Sequence, residues 1–190
     1  MSAPGVNRRS RSRWILIGCA VVVLALDQLT KAWVVANLPL YTPVNLVDSL
    51  APILSLTFVK NTGVAFGLFP QLGAFFTVLQ AIVILGILYY QRTLPPDELW
   101  LHVSLGLVVG GALGNLVDRL TRGYVVDFFD VNLWPLHTWP VFNIADSAIV
   151  MGVMILLIDS FVEQQDERKD IAAEARSAEA RSAGTGVADA

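Results

Sequence analysis

Four long apolar runs dominate this 190-residue chain: 14–36, 72–90, 99–117 and 141–162. Each is close to the ~20 helical residues that cross the hydrocarbon core of a bilayer. A backbone in lipid must satisfy its own hydrogen bonds, so runs of this kind form helices and leave few other folds open. The composition agrees, with 55% of residues hydrophobic and 15% charged, against about 25% charged in a soluble domain. A disordered, collagen-like or nucleic-acid-binding chain is excluded, and an ordinary soluble enzyme fits poorly. The net charge of −3 sits in residues 163–190, which hold seven acids and four bases, so it says little about partners. The single cysteine, Cys19, permits no internal disulfide. Leu16-Ile17-Gly18-Cys19 looks like a signal-peptide processing site, but the apolar run continues past the cysteine instead of ending before it.

Four spans leave both termini on one side of the membrane. Arg8, Arg9, Arg11 and Arg13 precede the first run, Arg92 lies between the second and third, and Arg168 and Lys169 follow the fourth. The other side carries Lys60, Arg119 and Arg122. The excess marks the termini as cytoplasmic. The expected fold is an all-α integral membrane protein of four transmembrane helices with a small β-containing outer cradle. Its parts are a basic cytoplasmic tail over 1–13, a membrane domain over 14–162 and a cytoplasmic, disordered tail over 163–190, which extends the fourth helix for a few turns and then frays.

The short inner connection, Leu94-Pro95-Pro96-Asp97-Glu98, reads as a turn with acids at the positive start of the next helix. The outer connections are richer. Leu54, Leu56 and Phe58 alternate with Ser55 and Thr57, a strand signal. Asn61-Thr62-Gly63 then reads as a turn, followed by Val64, Ala65 and Phe66. Tyr124 to Phe129 is again β-prone. Trp134 and Trp139 suit the headgroup region, and Pro140 suits the first turn of the fourth helix. Gly106, Gly110, Gly111 and Gly114 put a stripe of small residues along the third run, a pattern of close helix packing.

The polar residues in and beside these runs carry most of the information, because an ionisable group inside a membrane is costly unless paired or hydrated. Asp27 lies about 20 Å along the first run and Asn115 about 24 Å along the third, at ~1.5 Å per residue. Asn143 and Asp146 open the fourth run from the outer side, and Asp127 lies in the loop just before it. All reach one level, near the outer interface. Asp27 shares a helix face with Thr30 and Lys31, Asn115 with Arg119, and Asn143 with Asp146. Two neighbouring aspartates such as Asp127 and Asp146 do not ionise together easily, so one keeps a proton while the other can activate water. Such a pair needs no metal and no cofactor, and none is expected.

The motifs Asp27-Gln28-Leu29-Thr30-Lys31, Asn61-Thr62-Gly63-Val64-Ala65-Phe66, Gly114-Asn115-Leu116-Val117-Asp118-Arg119, Val126-Asp127-Phe128 and Phe142-Asn143-Ile144-Ala145-Asp146, in this order, resemble the bacterial lipoprotein signal peptidases (type II signal peptidases). The likeness covers about 14–162. It implies an intramembrane aspartyl endopeptidase with Asp127 and Asp146 as its catalytic residues. It implies Asp27, Asn61, Asn115, Arg119 and Asn143, with Lys31 and Gly63 of the same motifs, as substrate-binding or supporting positions. The implied substrates are prolipoproteins carrying a diacylglyceryl cysteine, cut on the N-terminal side of that cysteine. The implied setting is the bacterial inner membrane, with the site near the outer leaflet, membrane lipids around a monomer, no nucleic acid, and inhibition by globomycin-type cyclic peptides. The tail beyond Val162 has no counterpart in the pattern.

Each residue also has a plainer reading. Asp27 with Lys31 can be an interfacial ion pair, Asp118 and Arg119 ordinary helix-end charges, and Asn143 a helix cap alone. His102 and His137 lie at different depths and read as structural, and Asp48, Asp130 and Asp159 as solvated or interfacial charges. A transporter is the competing class. It would spread polar groups through the whole depth and often repeat its halves, whereas Gln80, His102 and Asp159 are scattered exceptions in the inner parts of the spans. A passive assembly factor would not need two convergent aspartates.

Overall fold

The computed structural model describes residues 5–45, 47, 49, 53–63, 73–132 and 139–185. Asp48, Val64, Ala65, Phe66, Trp134 and His137 lie outside them. The elements run α1 (Gly5–Asn37), β1 (Pro43–Val44), β2 (Leu54–Asn61), α2 (Gly73–Tyr90), α3 (Leu99–Arg122), β3 (Val125–Val131) and α4 (Ile144–Thr185). Among the described residues three stretches are long and apolar enough to cross a membrane: Arg13–Asn37, Leu99–Arg122 and Ile144–Asp166. The second apolar run forms a shorter apolar helix, Ala74–Tyr90.

Helix α3 is central and packs against α1, α2 and α4. Its glycines make this possible. A Cβ on Gly106 would stand 2.8 Å from the Leu16 carbonyl oxygen, and one on Gly110 would stand 2.8 Å from that of Ala20, both on α1. A Cβ on Gly111 would strike the Ala145 carbonyl on α4, and one on Gly114 would strike the Asp27 carboxylate. Gly152 of α4 returns the arrangement, 2.6 Å from the Ser104 carbonyl oxygen by the same construction. The small-residue stripe is therefore a two-sided packing surface. Gly123 ends α3 in the left-handed region (φ 79°), with its N–H donating to the Arg119 carbonyl, as a glycine just past a helix does.

The outward faces of the other helices remain apolar. Val21, Val22 and Leu29 of α1, Val78, Ile82 and Leu85 of α2, and Val150, Met154 and Phe161 of α4 are all exposed.

The strands form one antiparallel sheet in the order β1–β2–β3. Its core is Leu56, Phe58, Val126 and Phe128, packed on Val34 near the end of α1. The register shifts between Leu56, opposite Phe129, and Val59, opposite Asp127. Such an irregularity bends a strand and re-aims its side chains, and it falls immediately beside Asp127.

Two boundaries differ from the sequence expectation. Helix α4 starts at Ile144, so Pro140 precedes the helix instead of opening it, and Phe142 bridges to Phe129 of β3. The reason is Asn143, whose side chain caps the helix three residues beyond the proline. At the other end α4 continues through Thr185, so the segment expected to be a disordered tail is helical that far. Its Ala, Glu, Arg and Lys content favours helix, and Lys169 pairs with Asp166 one turn back at 2.8 Å.

Gly111→Ala forces α3 and α4 apart and is expected to cost about 1–3 kcal/mol, the usual range for overpacking. Melting in detergent micelles measures it, with Gly18→Ala as the control. Nothing lies within 4 Å of a Cβ at Gly18, so that variant should melt at or slightly above the wild-type temperature.

Candidate active site

The C-terminal half of α1 brings Asp27 and Lys31 into the bundle, both completely buried. Lys31 Nζ lies 2.8 Å from Asp27 Oδ2 and 3.0 Å from Asp118 Oδ2, and donates to Asn115 Oδ1 at 2.8 Å. One cation thus faces two carboxylates and an amide oxygen. The carboxylates are tied further. Asp27 Oδ1 accepts the Ala145 N–H of α4 at 3.0 Å, and Asp118 Oδ2 accepts the Val126 N–H of β3 at 2.9 Å. Gln28 donates to Asp27, to Asp118 and to the Gly114 carbonyl, and Arg122 pairs with Asp118. This cluster fixes α1, α3, α4 and β3 to one another. The Asp27–Lys31 pair forms as its spacing predicts, and it lies in the protein interior.

Asn115 links this cluster to a second one. Its Oδ1 also accepts from Asn143 Nδ2 at 3.1 Å, and its Nδ2 donates to Asp146 Oδ1 at 2.7 Å. Asn143 caps α4: its Oδ1 accepts the Asp146 N–H at 2.9 Å, while its own N–H donates to Asp146 Oδ2 at 3.2 Å. This reciprocal exchange is the geometry of a capping box. The Asn143 side chain also donates to Asp127 Oδ1 at 2.6 Å, so it touches both aspartates. Asn61, at the end of β2, donates to Asp127 Oδ2 at 2.9 Å and accepts the Gly63 N–H at 3.0 Å. Arg119 donates to the Gly63 carbonyl at 3.3 Å and to Gln80 Oε1 at 2.9 Å.

All nine residues singled out from the sequence therefore join one connected network. Every oxygen of Asp127 and Asp146 accepts from a neutral donor. Asp127, on β3, has its carboxyl pushed up to about 7, first by burial and then by the charge of Asp146, against the pull of Asn61 and Asn143. A carboxyl in that range holds or releases a proton near neutrality, as acid–base chemistry requires. A cavity of about 990 Å³ opens on the pair. Its polar lining includes Asn61, Gln80, Asn115, Arg119, Asp127 and Asp146, and its apolar walls include Phe76, Leu79 and Val83 of α2 and Ile149, Val150 and Met151 of α4. Lys31 and Asp27 stand behind the pair and brace it. Among the described residues no three of His, Cys, Asp and Glu are grouped as metal ligands.

Sequence reasoning passed over three participants. Asp118, read as a helix-end charge, is fully buried against Lys31; its i, i+3 spacing from Asn115 put it on the same face and was the available signal. Gln28 and Gln80 had no such signal beyond their polarity inside apolar runs. Asp130, read as solvated, is half-buried and accepts from Thr57 at 2.6 Å. His102 is buried and bonded to the Pro95 carbonyl at 3.0 Å, far in sequence from the network.

The chain's relatives point to one family. The family model described as Signal peptidase (SPase) II matches residues 19–162. The lipoprotein signal peptidase of Moorella thermoacetica is 47% identical over 137 residues, covering 72% of this chain and 86% of the relative. That of Shewanella halifaxensis is 40% identical over 164 residues, covering 83% and 91%. A solved structure described as "Bacterial membrane enzyme structure by the in meso method at 2.3 A resolution" superposes with a TM-score of 0.70 at 30% identity, covering 78% of this chain and 88% of that one. The class is an aspartic-type peptidase of the membrane, built with several membrane-crossing helices. The chain belongs to the signal peptidase II family, and its activity is removal of the signal peptide from lipoprotein precursors.

Lys31→Met leaves the buried Asp27 without a cation and Asp118 with Arg122 alone, and is expected to cost about 3–5 kcal/mol. Unfolding in mixed micelles measures it. Adding Asp27→Asn to that variant should restore part of the loss, since the stranded charge is then gone.

Proposed function

We propose that Asp127 and Asp146 are the catalytic pair of this peptidase. The observation that carries the reading is that both carboxylates face one cavity while neutral donors hold all four of their oxygens, leaving water and substrate as the reacting partners. With one proton shared by the pair, the ionised aspartate takes a proton from a water as that water attacks the scissile carbonyl. The protonated aspartate donates to the carbonyl oxygen, and the tetrahedral intermediate collapses with proton transfer to the leaving nitrogen. The products are a signal peptide ending in a carboxylate and a lipoprotein beginning with a free amine. Asn143 and Asn115 orient the pair, Asn61 orients Asp127, and Lys31 with Asp27 holds the supporting helices together. Arg119 and Gly63 shape the rim.

The scissile bond is the one preceding the lipid-bearing cysteine. The acyl chains of a diacylglyceryl-modified prolipoprotein lie along the apolar cavity walls of α2 and α4. Helix α2, about 27 Å long at ~1.5 Å per residue, is the fourth span. The protein works as a monomer among the lipids of the bacterial inner membrane, termini in the cytoplasm and the aspartates near the outer leaflet. Cyclic peptides of the globomycin type compete for the same cavity.

Asp127→Asn and Asp146→Asn should each reduce cleavage by about 10²–10⁴-fold, the usual worth of a positioned acid or base, with insertion and melting little changed. Purified protein and a diacylglyceryl-modified prolipoprotein test this, with an unlipidated substrate and a chelator as controls; substantial turnover by either variant would remove the pair from the mechanism. The raised Asp127 adds a pH prediction. Below about 7 the pair keeps its proton and above it the proton is lost, so kcat/KM should fall as pH rises through neutrality with the slope of a single ionisation.

A further inference from the structure

Gln80 is the only amide side chain in α2, a helix otherwise built for a lipid-facing position. A polar group there is expensive and marks function by default. Its Oε1 accepts from Arg119 Nη1 at 2.9 Å, and both residues line the cavity that holds Asp127 and Asp146. The second acceptor of Arg119 is the Gly63 carbonyl. Both acceptors are neutral. Among the described residues no carboxylate forms an ion pair with Arg119, whereas Arg122, close by on the same helix, is paired with Asp118.

This is an unusual state for an arginine within electrostatic reach of Asp127 and Asp146. A guanidinium free to move would form a two-pronged pair with one of them. That pair would occupy the oxygens a water must contact and would strip the shared proton. Gln80 supplies from α2 an acceptor of the right reach without adding charge, whereas the aspartates lie on β3 and α4. Resting on the catalytic pair proposed above, we infer that Gln80 is a positioning residue, holding Arg119 beside the two aspartates and off them. The charged groups facing this point are Asp127 from β3, Asp146 from α4, Asp118 and Arg119 from α3, and Lys31 from α1. Lys31 is already committed to Asp27 and Asp118.

The test compares wild type, Gln80→Leu and Gln80→Glu on a diacylglyceryl-modified prolipoprotein, with kcat and KM measured across the neutral range and melting followed in parallel. Gln80→Leu releases Arg119 toward the aspartates. Its kcat should fall about tenfold, the worth of one hydrogen bond to a charged group, with a smaller change in KM, and its alkaline limb should move to lower pH. Gln80→Glu keeps the acceptor but neutralises Arg119, so its alkaline limb should move to higher pH. Displacements of opposite sign are the expected result. Limbs that stay in place, or move together, overturn the proposal and leave Gln80 as an interhelical pin only. Should Gln80→Leu fail to fold, the near-isosteric Gln80→Glu decides alone, since an unmoved limb in it is sufficient to overturn. Asp127→Asn is run alongside. If it still cleaves, the aspartate pair falls and this proposal with it; if it is inactive while the Gln80 limbs are unmoved, only the role of Gln80 falls.

Discussion

A single buried ammonium group organises this molecule. Lys31 is withdrawn from water and has to be repaid by partners at close range, and it finds them on two helices at once: Asp27 on α1, and Asp118 and Asn115 on α3. Each carboxylate then passes the constraint outward through a backbone N–H, Asp27 to the start of α4 and Asp118 to the start of β3. Those are the two elements that carry Asp146 and Asp127. The positions of the aspartates are thus set by a cluster they are not part of, and loosening that cluster would move both carriers together.

The bridge between the two clusters is made of amides. Asn115 and Asn143 can each donate and accept, which lets them connect a cation-centred group to an aspartate pair without adding charge. A lysine or arginine in either place would pull a proton from the pair, and an aspartate or glutamate would add a third repelling charge. Asn143 performs a second task with the same atoms, since it closes the first turn of α4 through Asp146. The start of the helix and the orientation of the aspartate are therefore one structural event.

Much of this was legible in the sequence, because lipid punishes unpaired polarity and so makes each polar residue in an apolar run informative. The shared depth of Asp27, Asn115, Asn143 and Asp146 followed from helical rise alone, and the strand alternation at Leu54, Leu56 and Phe58 marked β2. The glycine stripe of α3 also read correctly as packing. What could not be read was direction. Asp118 looks like any acid near a helix end until the turn into β3 shows that it points inward. The irregularity between Leu56 and Val59 depends on cross-strand register, for which one sequence carries no direct mark. Gln80 needed Arg119 as a neighbour, and the two come from helices whose relative rotation only packing decides. Pro140 misled because a proline suits a first helical turn in general, while here the capping side chain of Asn143 sets the start.

The glycines of α3 have a mechanical consequence. Gly106 and Gly110 abut α1, whereas Gly111 and Gly114 abut α4 and Asp27. A helix gripped on two sides at hydrogen-sized gaps has the character of a keyed shaft. Sliding it by one residue, or turning it to match, would drive a leucine or valine into a space that accepts no carbon. The α1–α3–α4 assembly therefore has one seating and behaves as a rigid frame. Helix α2 carries no such key at Gly86, where a Cβ would meet nothing within 4 Å.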